Sequence, residues 1–229
     1  RAGLTRPMTC TPDPGRAGVA CHVSYCRPAL QGYSLEPFFV STLIVALAEI
    51  GDKTQLLALL LAARYRRPWP IIWGIVIATL ANHAAAGAVG NWVSQALSPV
   101  MLNWILAASF AAVALWTLVP DKLEEDEASR GRRFGPFFAT LIAFFLAEMG
   151  DKTQIATVML AAQYPEFMLV ILGTTLGMLL ANVPVVMVGN LASERLPLTL
   201  IRRIAALGFA ALAAYAVFEA LTLSALPPV

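Results

Sequence analysis

Charge is what this chain has least of. Only 13% of its 229 residues are Asp, Glu, Lys or Arg, where a soluble domain carries about 25%. Histidine is rarer still, with two in the whole chain, and the three cysteines (Cys10, Cys21, Cys26) all fall in the first 26 residues. No thiol therefore lies in a long apolar run, and His83 is the only imidazole that does, which argues against a zinc or copper site. No glycine-rich loop is arranged to cradle phosphate. The basic residues form no stripe with interleaved aromatics, so nucleic acid is not an expected partner. The first 35 residues are rich in Pro, Gly and Arg and lack the apolar stretch of a signal peptide. They read as a disordered tail. Cys21-His22 and Cys26 suggest a metal-binding tail only weakly, because no second ligand pair follows at finger-like spacing.

What is present is hydrophobicity, at 59% of residues and a mean hydropathy of +0.71. Six apolar runs, 36–63, 70–94, 101–119, 136–162, 167–191 and 200–225, reach the roughly 20 residues a bilayer-crossing helix needs. Proline and charge separate them, most heavily in DKLEEDEASRGRRFG (121–135). The expected fold is an all-α membrane protein of six transmembrane helices. Its parts are the tail (1–35), three helices (36–119), a charged loop (120–135) and three more helices (136–225).

The two sets of three are copies. Leu47 to Gln55 reads LAEIGDKTQ and Leu146 to Gln154 reads LAEMGDKTQ, eight of nine positions identical at an offset of 99 residues. The match extends outward: Pro37-Phe38-Phe39 answers Pro136-Phe137-Phe138, Gly74 answers Gly173, and Val89-Gly90-Asn91 answers Val188-Gly189-Asn190. Asn82 meets Asn182 after a one-residue shift. An odd number of spans per copy inverts the second copy in the membrane, and such folds place their substrate site near the midplane between repeats. Ten Lys and Arg residues lie on the face of connections 1–2, 3–4 and 5–6, and the opposite connections hold none. The positive-inside rule then puts the 121–135 loop in the cytoplasm and both termini outside.

Each copy sets two acids and a lysine in the middle of an apolar run. On an unbroken helix Glu49, Asp52 and Lys53 share a face, as do Glu148, Asp151 and Lys152. A break at Gly51 or Gly150 is the alternative, and it would expose carbonyls as ligands. Intrahelical Glu–Lys pairs neutralise one acid per copy and leave the aspartate over. An unpaired charge at the bilayer centre costs at least ~2.5–3.5 kcal/mol, so its repetition points to function. Four carboxylates and two lysines leave a formal excess of −2. One divalent cation or two protons would neutralise it. Oxygen donors from carboxylates, from Gln55 and Gln154 and from Thr54 and Thr153 suit Ca²⁺, Mn²⁺ or Mg²⁺.

The doubled E-x-G-D-K-T motif, in two three-helix halves joined by an acidic loop, resembles the Gdt-type family of calcium/manganese:proton transporters. The resemblance spans about residues 36 to 225. It implies export of Mn²⁺ and/or Ca²⁺ from the cytosol in exchange for protons, with no permanently bound cofactor and no enzymatic activity. It also implies a cation site built from Glu49, Asp52, Lys53 and Thr54 with Glu148, Asp151, Lys152 and Thr153. The compact six-span form fits a bacterial plasma membrane. The implied partners are divalent cations, protons and the bilayer, and a homo-oligomer is compatible with all of this. A passive cation channel, a non-transporting scaffold and an aspartate-dyad hydrolase compete with this reading, the last opposed by the Lys and Glu beside each Asp.

Asn82 and Asn182 read equally well as orienting groups for the motifs and as interhelical hydrogen-bond formers. His83, present in one copy only, is either a satisfied core residue or a proton relay. Glu219 lies near the end of the sixth run and reads as interfacial. The acidic stretch 121–127 reads as a solvated loop.

Overall fold

The computed structural model describes residues 9–12, 19–22, 34–119, 135–188 and 198–225. The chain divides into two units, Arg1–Ser34 and Leu35–Val229. In the first, β1 (Thr9–Pro12) and β2 (Val19–His22) pair antiparallel with Cys10 opposite Cys21. The tail read as disordered thus holds a short hairpin. The 121–134 loop and Gly189 fall outside the described residues.

The second unit contains eight described helices: α1 (Glu36–Glu49), α2 (Lys53–Tyr65), α3 (Pro68–Ala96), α4 (Pro99–Thr117), α5 (Pro136–Glu148), α6 (Lys152–Gln163), α7 (Phe167–Val188) and α8 (Leu198–Ser224). Proline in the first turn opens α1, α3, α4 and α5, where its fixed φ suits the helix and its missing N–H loses no bond. Among the described residues α3, α4, α7 and α8 are long and apolar enough to cross a membrane. The continuous helices expected over 36–63 and 136–162 are each broken in two at the motif. At ~1.5 Å per residue the 14 residues of α1 reach ~21 Å, short of the ~30 Å hydrocarbon core.

The halves are interlocked. Helix α1 packs on α7 of the other half, and α5, the repeat equivalent of α1, packs on α3. In the same way α2 meets α7, α6 meets α3, and α4 lies along α8. Glycine sets how closely these pairs approach. A Cβ on Gly173 would stand 2.5 Å from the Phe38 carbonyl oxygen, and one on Gly74 would stand 2.9 Å from that of Phe137. Gly173 is the copy of Gly74 and Phe137 the copy of Phe38, so the same backbone contact occurs twice, as small residues permit in membranes.

Two clusters fill the interior. One gathers Ile44, Leu106, Phe110, Met159, Leu160 and Phe209, and the other Leu57, Ile71, Ile75, Phe144 and Val186. Phe110 and Phe209, also related by the 99-residue offset, stack on each other with centroids 6.5 Å apart. The outer surface exposes Phe39, Leu43, Trp73, Trp92, Leu207 and Phe218, more large apolar side chain than a surface facing water carries.

Candidate cation site

The local chain path at the motif is set by glycine. Ile50 has φ −65° and ψ 116°, Gly51 has φ +80°, and the Asp52 N–H donates to the Glu49 carbonyl at 3.0 Å. Met149 (−63°, 118°), Gly150 (+77°) and the Asp151 N–H to the Glu148 carbonyl (3.1 Å) repeat it. This is a type II turn, whose third position needs positive φ and therefore favours glycine. The motif is a helix–turn–helix joint, and the common-face geometry of an unbroken helix does not apply.

The joint leaves Glu49 in the last turn of α1 and Asp52 at the N-cap of α2, with Lys53 first in α2. Asp52 is where the helix macrodipole favours a negative charge. Glu49 and Lys53 stand at the ends it disfavours, by about 0.3–1 kcal/mol each. Glu148 and Lys152 are misplaced in the same way at α5 and α6. A cation at the carbonyl end of α1 or α5 would relieve the glutamates.

The joints converge. Glu49, Asp52 and Asp151 each offer a carboxylate oxygen, and those three atoms lie within 4.8 Å of one another. Oxygens on opposite sides of a Ca²⁺ ion at 2.3–2.6 Å are roughly 5 Å apart, and of Mg²⁺ about 4 Å, so three oxygens within 4.8 Å are close enough to share one hard divalent ion. All three residues are buried. Glu148 is fully buried nearby and feels the charges of Glu49, Asp151 and Asp52. Among the described residues neither Glu49 Oε1 nor Glu148 Oε1 has a hydrogen-bond partner, a costly condition for buried oxygen. Lys152 Nζ, itself buried, reaches Asp52 Oδ1 at 2.5 Å across the repeat boundary. The contact to Asp52 links the two repeats, which the private Glu–Lys pairing considered from sequence would not do. Lys53 is half-buried and lies close enough for its charge to act on Glu148.

The neutral residues hold the joints together. Thr54 Oγ1 donates to Glu49 Oε2 at 2.6 Å, while Thr153 Oγ1 lies 3.4 Å from both Glu148 Oε2 and Asp151 Oδ2. Gln55 Oε1 accepts from Gly51 N at 2.9 Å, and Gln154 Oε1 from Gly150 N at 2.7 Å. Each carboxamide thus clasps its own turn, a use the sequence reading missed. Gln55 Nε2 also donates to the Ala181 carbonyl of α7.

The two asparagines part company. Asn82 Nδ2 donates at 3.0 Å to the Phe145 carbonyl, one of the acceptors orphaned where α5 stops. Asn182 Nδ2 instead donates within its own helix, to the Met178 carbonyl and Sδ. His83 is fully buried, and neither ring nitrogen has a partner among the described residues. Arg202 of α8 was absent from the sequence-derived site, yet its Nη2 donates to the Gly51 carbonyl at 3.1 Å. The available signal was a basic residue inside the last apolar run.

Buried carboxylates from two equivalent helix breaks, set among apolar membrane-length helices, fit the class of membrane cation transporters. Comparison with known proteins gives the family. The family model described as "Divalent cation/proton antiporter GDT1" matches residues 37–125 and again 136–224, one match per half. The chain belongs to this family and is an integral membrane transport protein, not an enzyme. A Vibrio cholerae protein named "Putative manganese exporter" is 55% identical over 184 residues, covering 80% of this chain and 91% of that relative. A GDT1-like protein of Synechocystis is 27% identical over 71% of this chain and 87% of its own length. The rice GDT1-like protein 4 (subspecies indica) is 25% identical over 70% and 66%. No solved structure matches.

Proposed function

We propose that this protein exports Mn²⁺ from the cytosol in exchange for protons, through one site built by both E-x-G-D-K-T motifs. The observation that carries the proposal is the trio Glu49, Asp52 and Asp151, drawn from both halves and compact enough for one divalent ion. Glu148, Thr54 and Thr153 complete an oxygen-rich wall, and Gln55 and Gln154 fix the turns that present it. The name of the Vibrio relative favours Mn²⁺, and the hard oxygen donors admit Ca²⁺ as well.

Lys152 gives the exchange its logic. A divalent ion that takes Asp52 as ligand competes with the ammonium already there, so loading the ion releases Lys152. Two protons on the acids, together with the two lysines, balance the cluster once the ion has left. Counting each broken pair as one span gives six spans in two inverted repeats. The reciprocal packing of α1 on α7 and α5 on α3 supports this arrangement, as does the contact between the equivalent Phe110 and Phe209. By the positive-inside rule the 121–135 loop faces the cytoplasm of a bacterial inner membrane and both termini face out.

Proteoliposomes test the proposal. Purified protein should accumulate Mn²⁺ against its gradient when a pH gradient is imposed, with Ca²⁺ and Mg²⁺ run in parallel. If none of the three moves, or none responds to the pH gradient, the assignment fails. Downhill flux without accumulation would make the protein a channel.

A further inference from the structure

Among the described residues, Arg202 is the one basic side chain from outside both motifs that hydrogen-bonds a motif turn. It lies in the first turns of α8, half-buried, and its guanidinium donates to the Gly51 carbonyl one residue from Asp52. Arg202 also lines a cavity of about 350 Å³ with Leu118, Thr199 and Arg203. It therefore touches both this cavity at the α4–α8 end of the bundle and the first turn of the site. The copy at the 99-residue offset is Asn103, whose Nδ2 donates to Pro99 of its own helix at 3.0 Å. Asn103 does not repeat the tie, and Gly150 is exposed where Gly51 is half-buried.

We infer that Arg202 is a positioning residue, a displaceable cationic arm that holds the Gly51 turn and opposes cation entry from the α4–α8 cavity. The inference rests on the transport reading above. A guanidinium on the Gly51 carbonyl places a positive charge beside the carboxylates, in low dielectric where like charges repel strongly. A divalent ion coming from the cavity must meet that charge or move it. Apparent affinity falls by the fraction of molecules that are binding-competent, so an arm closed about nine-tenths of the time weakens binding about tenfold.

The measurement is the Mn²⁺ concentration dependence of uptake into proteoliposomes at a fixed pH gradient, for wild type, Arg202→Gln and Arg202→Lys. Arg202→Gln keeps a donor for the carbonyl and loses the charge, and its apparent KM should fall about three- to tenfold. Arg202→Lys keeps the charge and should stay within about twofold of wild type. A merely structural arm predicts the reverse, a lower kcat with KM unchanged or raised, and that result would overturn the inference. So would Arg202→Lys behaving as Arg202→Gln does. If neither Arg202→Gln nor Arg202→Ala yields monodisperse protein, the tie is structural and the arm is rejected. Wild-type protein that moves no Mn²⁺ would instead remove the transport reading itself.

Discussion

The two motif copies differ in one residue of nine and fold into the same turn, yet they sit in different surroundings. In the first copy Thr54 binds Glu49 at 2.6 Å, Gly51 is half-buried, and Arg202 ties its carbonyl down. In the second Thr153 stands 3.4 Å from its acids, Gly150 is exposed, and Lys152 leaves its own repeat to bind Asp52. Asn82 clasps the opposite half while Asn182 stays within its own helix. Pro184 lies inside α7, and the corresponding part of α3 has no proline. The difference teaches that the motif encodes a joint, and that the helices around the joint decide how open it is. For the inverted-repeat exchanger proposed above, unequal surroundings for equal motifs are what an orientation facing one side requires.

The sharpest way to break the comparison is to neutralise one acid at a time. Asp52→Asn removes a member of the close trio and a partner of buried Lys152, and Mn²⁺ uptake should drop at least about 100-fold. Glu148→Gln, outside the trio, should cost less. Equal losses would mean that all four acids are equivalent ligands. Next come the joints. Gly51→Ala and Gly150→Ala each force a Cβ into positive φ, at about 1–2 kcal/mol apiece. For a chain of this length that is a Tm lower by roughly 2–8 °C in detergent. A neutral Gly150→Ala would show that the exposed turn is not held in the observed shape.

Smaller effects probe the unequal ties. Asn82→Ala orphans the Phe145 carbonyl and should destabilise by about 0.6–1.7 kcal/mol in chemical denaturation, more than Asn182→Ala, whose contacts are local. Thr54→Val, which loses a charge-assisted bond, should raise the apparent KM for Mn²⁺ about three- to tenfold. Thr153→Val should raise it less, since neither of its contacts is short.

Much of this architecture was legible because duplication turns a single sequence into an internal comparison. Gly74 and Gly173, picked out as paired glycines, are where backbone meets backbone. The break at Gly51 was readable as one alternative. Helical periodicity favoured the other, because the apolar run passes through the turn without interruption and only the sign of φ ends the helix. Partner choice was not legible. Nothing in the spacing says that Lys152 crosses to Asp52, or that Arg202 reaches Gly51 across 151 residues. Those contacts depend on how α5, α6 and α8 stack on the first half, which hydrophobic pattern alone does not determine. The β1–β2 hairpin went unread because its four-residue strands carry too little alternation to signal pairing.

The exchange of partners between halves, α1 on α7 and α5 on α3, bears on how this molecule assembles. Neither half keeps its own first helix packed, so neither is a self-sufficient folding unit, although each carries a full copy of the motif. A chain severed within the 121–134 loop should give two fragments that are degraded when made alone and recover uptake when co-expressed. The same interlocking describes how two identical three-helix chains could once have embraced as a dimer, with the present loop as the seam that later made their union permanent.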